Sequence, residues 1–360
     1  MNKLKTIGIS ALAGSLAAFS AQAFEASVSG GAEITVSHKG SSDVTGNPLG
    51  ARKNLNFSGS GELDNGWSVA LATNLTDANA LSSSTTALTM GSLGTITVGQ
   101  GHGGNSGGWD EEVPQAYEQV SDAGTATAAN YVGSWLGNGA VGWALPSIDT
   151  GAGSLSVKIG FANDADNVAV SDGGTGGHGG VYGEGYDLGV TLATDMGLTL
   201  GAYVAERENK AHVPTGSDAT RDEFNGTWYV TYSAGPVSIG YQESYVDLGA
   251  PSSTATAATA AKTIGTSTGI YEDQAYSISF NVNDDLSVSY TSHDSTYDDQ
   301  SNVSSGTEIA DVTQSQDAIQ VAYSMGGLSI SAYQMSTTNP AHDSNAGEIN
   351  VTEIAVGMAF

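Results

Sequence analysis

Period-two segments in this 360-residue chain are joined by connections that alternate, without a break, between very short and long. The alternation of apolar and polar residues is clearest at Leu155–Phe161, Tyr276–Val282, Leu286–Tyr290, Ile319–Tyr323 and Leu328–Ala332. In each, one face is aliphatic or aromatic and the other is small, polar or charged. Tight-turn chemistry falls at Asp64–Gly66, Ser92–Gly94, Asp195–Gly197, Ala234–Pro236, Asn283–Asp285 and Met325–Gly327, with a slightly longer turn at Asp149–Gly153. Polar stretches at 40–50, 77–84, 102–137, 164–181, 210–221, 248–270, 298–313 and 338–347 lie between them. Seven short turns and eight long loops in strict alternation make sixteen strands, with both termini on the short-turn side. A water-soluble sandwich has the same local alternation but no reason to gather every long connection at one end. A closed, antiparallel, up-and-down transmembrane β-barrel does, with short periplasmic turns and long outer loops. All-β, about sixteen strands, is the fold class expected.

Composition points the same way. Gly occurs 49 times and charged residues make up only 13% of the chain, which suits many short strands better than the charged helical surfaces of an ordinary soluble enzyme. With 38 acids against 10 bases, the chain lacks the basic surface that phosphate contacts need, so no nucleic-acid partner is expected. The absence of Cys removes disulfides, thiolate metal sites and thiol nucleophiles. Lys3 and Lys5 precede an apolar run, Ile7 to Phe19, that ends at Ala21 and Ala23. This pattern reads as a secretory signal spanning 1–23, with the barrel formed by 24–360. The run is shorter than the roughly 20 apolar residues of a spanning helix.

If the barrel sits in lipid, its backbone must be paired internally and its apolar residues must face outward. Val69 and Leu71, Ile96 and Val98, Val157 and Ile159, Leu198 and Leu200, and Val237 and Ile239 are the expected lipid-facing pairs. Trp67, Trp228, Tyr232, Tyr241 and Tyr323 stand near strand ends, where headgroup-level aromatic girdles form. The chain alternates to its end at Phe360.

The signal, the strand count, the terminal strands and the final Phe360 together resemble the Gram-negative outer-membrane general diffusion porin family. The resemblance spans the whole mature chain and is architectural. It implies a homotrimer in the bacterial outer membrane, embedded in outer-membrane lipids and passing small hydrophilic solutes and ions passively. Phe360 would be the signal read by the barrel-assembly machinery. It also implies that the third loop, about 102–137, folds into the pore, which makes Asp110, Glu111, Glu112, Glu118 and Asp122 the candidate constriction. Strand parity selects the basic wall. Lys158 alternates with Val157 and Ile159, Arg52 shares a face with Asn54, Asn56 and Ser58, Arg207 shares one with Tyr203, and Arg221 has inner parity near the rim. Removing Lys3 and Lys5 leaves eight bases against 38 acids, so a weak cation preference is expected.

Other signals carry little. Gly99, Gly101 and Gly104 match a dinucleotide fingerprint, but no amphipathic helix follows. The stretches Asn163–Asn167 and Ser171–Gly174 offer oxygen ligands for a loop Ca²⁺ without EF-hand spacing; otherwise no cofactor and no metal are expected. The six histidines have no metal-ligand spacing, and no catalytic constellation stands out, so the chain is not read as an enzyme. The alternative weighed is a secreted or surface-anchored β-rich adhesin or surface-layer protein, which Gly, Ser, Thr and acid content would also suit.

Overall fold

The computed structural model describes residues 25–40, 47–77, 80–100, 108–121, 132, 136–137, 139–165, 182–210, 222–249, 269–298 and 310–359. The expected signal, Asp122, Arg221 and Phe360 lie outside the described residues.

Sixteen antiparallel strands follow one another in chain order. The first five are β1 (Glu25–Lys39), β2 (Leu49–Glu62), β3 (Ser68–Leu75), β4 (Leu81–Thr89) and β5 (Thr95–Gln100). Next, β6 runs in two pieces, Val141–Ala144 and Ile148–Asp149, followed by β7 (Gly153–Ala162), β8 (Tyr182–Thr194), β9 (Leu198–Asn209) and β10 (Glu223–Ala234). The remainder are β11 (Val237–Asp247), β12 (Ile270–Asn281), β13 (Leu286–Asp298), β14 (Val312–Met325), β15 (Leu328–Thr338) and β16 (Ile349–Ala359). The last strand pairs with the first, from Gly31 opposite Ala359 to Lys39 opposite Val351, so the sheet closes and leaves no edge along that seam.

Both pieces of β6 pair with β7, Ala144 opposite Lys158 and Ile148 opposite Leu155. Between those pairs β6 has one residue more than β7, which is a bulge. Pro146 sits in it, because proline has no N–H to give a ladder. One connection differs from expectation. The second loop is confined to 76–80, since Leu81–Ser84, part of the polar stretch assigned to it, belongs to β4. The serines are held in the ladder by short polar pairs on its two faces: Asn74 Nδ2 donates to Ser83 Oγ at 3.0 Å on one, and the Thr73 and Ser84 hydroxyls lie 3.4 Å apart on the other.

Burial runs opposite to that of a soluble protein. Ile239, Ile278 and Ile319 are 48%, 49% and 64% exposed, whereas Gln242, Gln314, Gln316 and Gln320 are at most 2% exposed. Leu71, Val98, Ile159 and Leu200 are exposed too, with Val69, Ile96, Val157, Leu198 and Val237 partly so. Apolar residues therefore cover the outside, and amides and hydroxyls line the inside. On the outer face Trp143 Nε1 donates to Leu93 O at 2.8 Å beside a short turn, so the indole's polar end is satisfied where its apolar ring is exposed.

Candidate functional site

The longest described piece of the third loop, residues 108–121, lies inside the barrel against its wall. Trp109 starts the inward run, buried between Tyr203 (ring centroids 5.3 Å apart) and Tyr229 (6.0 Å). Glycine makes the room. A Cβ on Gly189 of β8 would come within 2.5 Å of the Trp109 ring, and one on Gly240 of β11 within 2.5 Å of Pro114.

From there the backbone is bonded to successive strands. Gln242 on β11 accepts from Glu112 N (2.5 Å) and donates to Trp109 O (2.8 Å) and Asp110 O (3.0 Å). On β12 and β13, Ser277 Oγ donates to Pro114 O and Ser289 Oγ accepts from Ala116 N at 3.0 Å. Gln320 on β14 accepts from Tyr117 N (2.8 Å) and donates to Glu118 O (2.6 Å). Tyr117 packs on Tyr333 of β15 and donates through its hydroxyl to Glu353 of β16 at 3.4 Å. Burial pushes that phenol up, with Glu118, Glu33 and Glu353 adding to the shift, so it remains a donor. Val120 completes the dock in a cluster with Ala318, Met335 and Val351. The segment thus covers the inner wall from β8 to β16. Among the described residues, the 108–121 segment itself reaches β2 only through Glu118 and leaves the rest of the β1–β7 wall uncovered, while Leu136, later in the loop, packs on Ala162 at the end of β7.

Seven of the ten candidate site residues are among those described. Glu118 faces Arg52: the Arg52 Nη2 lies 3.6 Å from Glu118 Oε1 and its Nε 2.7 Å from Glu33 Oε1, while the Arg52 side chain stays 60% exposed. Glu112, at the other end of the segment, is coupled to its neighbour Asp110 and to Lys158. Lys158 stands opposite Gly189, whose missing Cβ points at Trp109, so both face inward. Burial, with Asp110 beside it, pushes the Glu112 carboxyl up to about 7, against the opposing pull of Lys158. Glu111 differs from its neighbours: it is 6% exposed and turns into the loop's own backbone. Arg207 is inward but engaged. Its Nη2 and Nε reach Glu223 Oε2 at 2.5 and 2.7 Å, its guanidinium lies 3.5 Å from the Tyr182 ring centre, and Tyr182 donates to the same carboxylate at 2.7 Å.

The wall acids Glu33 and Glu353 and the anchoring glutamines and serines were absent from the sequence-based set. Inner parity was the available signal, in particular Gln314, Gln316 and Gln320 alternating on one strand.

No family model matches the chain, and no curated protein matches it. Solved structures do match. An anion-selective porin from Comamonas acidovorans superposes with a TM-score of 0.63 at 13% identity, covering 94% of this chain and 100% of that one. OmpF of Salmonella typhi, in complex with daunomycin, gives a TM-score of 0.64 at 11% identity, covering 94% and 98%. The fold is that of the porins. OmpT of Vibrio cholerae, an outer membrane protein solved in a trimer form, adds a TM-score of 0.54 at 12% identity over 94% of this chain and 100% of that one.

Among the described third-loop acids, Glu112 is the one whose charge changes near neutral pH. Its carboxyl is raised, so it is charged above about pH 7 and neutral below. If the barrel conducts ions, its cation-over-anion permeability ratio should therefore decline as pH falls from about 8 to about 6, well above the ordinary carboxylate range. Reversal potentials measured along that series check this; a flat profile down to about pH 5 would count against it.

Proposed function

We propose that this chain is an outer-membrane porin: a water-filled channel through which small hydrophilic solutes and ions diffuse passively, with a weak cation preference. The observation that carries the reading is the 108–121 segment, bonded along the inner wall so that its acids face Arg52 and Lys158 across the uncovered side. Five acids (Glu33, Asp110, Glu112, Glu118 and Glu353) share that space with two bases, Arg52 and Lys158, so mobile cations are enriched there. Asp122 and Arg221 are proposed to join the constriction and the basic wall.

The proposal has further parts, carried over from the sequence. The segment 1–23 is a signal removed on export, Phe360 is read by the assembly machinery, and outer-membrane lipids cover the aliphatic exterior. A homotrimer is supported by the trimer form of OmpT and by the short strands β3 to β5, of 8, 9 and 6 residues, which lower one side of the wall. Catalysis is not part of the function. The Ser295 and His342 pair, 3.1 Å apart, is sealed at 0% exposure for both and can meet no substrate. A surface adhesin has no use for a closed ladder with an aliphatic exterior.

Planar-bilayer recording tests the reading. Purified, heat-modifiable protein should insert in steps of uniform conductance, with a reversal potential on the cation side in a salt gradient. Absence of steps from folded protein, or an anion-side potential, would overturn the channel or its preference respectively.

A further inference from the structure

We infer that Glu111 is the clasp that sets the width of the passage, a positioning residue for the porin activity proposed above, on which this inference rests. Its side chain is the one described acid of the third loop that does not face open space, at 6% exposure. Both oxygens are used. Oε1 accepts from Val120 N (3.2 Å) and from Gln115 Nε2, and Oε2 accepts from Ser121 N (3.1 Å) and Ser121 Oγ (2.6 Å). The backbone of the same residue takes a further bond from Gln119 Nε2 at 3.3 Å. One carboxylate therefore ties residue 111 to residues 115, 120 and 121 and closes the segment into a ring.

The consequence for the passage lies in where the ring's charges stand. Glu112 and Glu118 are carried on the arc between the tied residues, and the wall glutamines and serines hold only the outer side of that arc. Those bonds fix where the arc touches the wall. The clasp fixes how far it stands out from it. Without the carboxylate, Val120 N and Ser121 N lose their acceptors in a buried place, and the cheapest repair is for the chain to move until water reaches them.

The chemistry demands an acceptor on both atoms. All four partners are donors, and only an ionised carboxylate presents two oxygens with no hydrogen of its own. Glutamine, although nearly the same shape, would point an NH₂ at one of two donor sets. Glu111→Gln should thus act as a break in the clasp rather than as a mild neutralisation, which separates this role from that of an acid that merely contributes charge.

The experiment compares Glu111→Gln with Asp294→Asn, an equal charge change on the barrel's outer face, after wild-type protein has been shown to conduct. Glu111→Gln is expected to raise unitary conductance about twofold, add sublevel transitions, and admit larger neutral sugars in liposome swelling. Asp294→Asn should match wild type in all three. A cysteine pair, Ala116→Cys with Ser289→Cys, joins the loop to β13 where Ala116 N and Ser289 Oγ lie 3.0 Å apart. In the Glu111→Gln background its oxidation should leave the raised conductance in place, because it locks a wall contact and not the clasp; a return to wild-type conductance would assign the width to the wall contact and overturn the inference. Folded Glu111→Gln barrels with wild-type conductance and sugar cut-off would overturn the inference, as would a lowered thermal midpoint with unchanged channels. Should Glu111→Gln give no folded barrel, Gln115→Leu with Ser121→Ala removes two of the four donors and must itself raise conductance; wild-type behaviour there overturns the inference equally. A wild-type protein that fails to conduct removes the porin reading first, and the clasp falls with it.

Discussion

Replacing Asp110, Glu112 and Glu118 together by their amides is expected to erase most of the cation preference while leaving a conducting barrel. These three acids sit on one arc, and the bases nearest to them, Arg52 and Lys158, stand on the uncovered wall. A unit charge roughly 8 Å from a passing ion is worth about 0.5 kcal/mol in water. Screening over a Debye length of about 8 Å reduces that to about 0.2 kcal/mol at physiological salt. The effect has opposite signs for cations and anions, so each carboxylate changes the permeability ratio by roughly twofold, and the three together by several-fold. Reversal potentials in a salt gradient read this directly. The shift should shrink as ionic strength rises, because these charges act through water. A ratio unchanged at low salt would move the seat of selectivity to the wall pair Glu33 and Glu353, or to the outer loops.

The same arithmetic explains why Arg207 has little part in that balance. Its charge is neutralised within hydrogen-bonding distance by Glu223, whose carboxylate is fully buried, and an ion in the passage meets a dipole rather than a cation. Parity places Arg207 on the inner face and can do no more. Whether an inward base stays available depends on which acid a neighbouring strand brings opposite, here Glu223 directly across from Arg207 in the ladder.

That distinction marks how far the sequence could be read. Strand periodicity is local, and the alternation of short and long connections is a property of the chain's order, so the sixteen strands, their faces and the inward direction of Lys158 and Arg52 were all legible. Leu81–Ser84 were assigned to a loop because a run of serines carries no period-two signal, although cross-strand pairs such as Asn74 with Ser83 and Thr73 with Ser84 hold it in the ladder. The third loop was legible as acidic but not in its internal division of labour. Adjacent Glu111 and Glu112 have the same chemistry in sequence. Only docking turns one into the loop's own amides and the other towards Lys158, and the docking depends on Gly189, Gly240 and Gln242, on strands far along the chain. Non-local approach of backbones leaves no periodic trace, apart from a glycine or glutamine where an inner position would otherwise take any small polar residue.

Exchanging two neighbours, Lys158→Ile with Ile159→Lys, is expected to produce the largest loss of stability of any composition-neutral change in the barrel. Ile159 is 40% exposed on the outer face, opposite Trp143 on one side and Leu188 on the other, in the middle of an aliphatic stretch that runs from Leu155 to Phe161. Lys158 points the other way, opposite Gly189 and within electrostatic reach of Glu112. The exchange puts an ammonium among apolar side chains at the depth where a lipid-facing Lys costs about 2–4 kcal/mol, and a branched alkyl group into the wet passage. Register cannot adjust to relieve it, since a one-residue slip would turn every other residue of β7 the wrong way. Unfolding in urea from lipid vesicles, followed by loss of the fast-migrating folded band, measures the cost. In a detergent micelle, where the lysine can reach water more readily, the penalty should be smaller, and that difference separates burial in hydrocarbon from mere loss of packing. Equal stability of the exchanged and native barrels in vesicles would mean that the aliphatic face of β7 is not turned to lipid. The inverted polarity on which the channel depends would then be wrong at its centre.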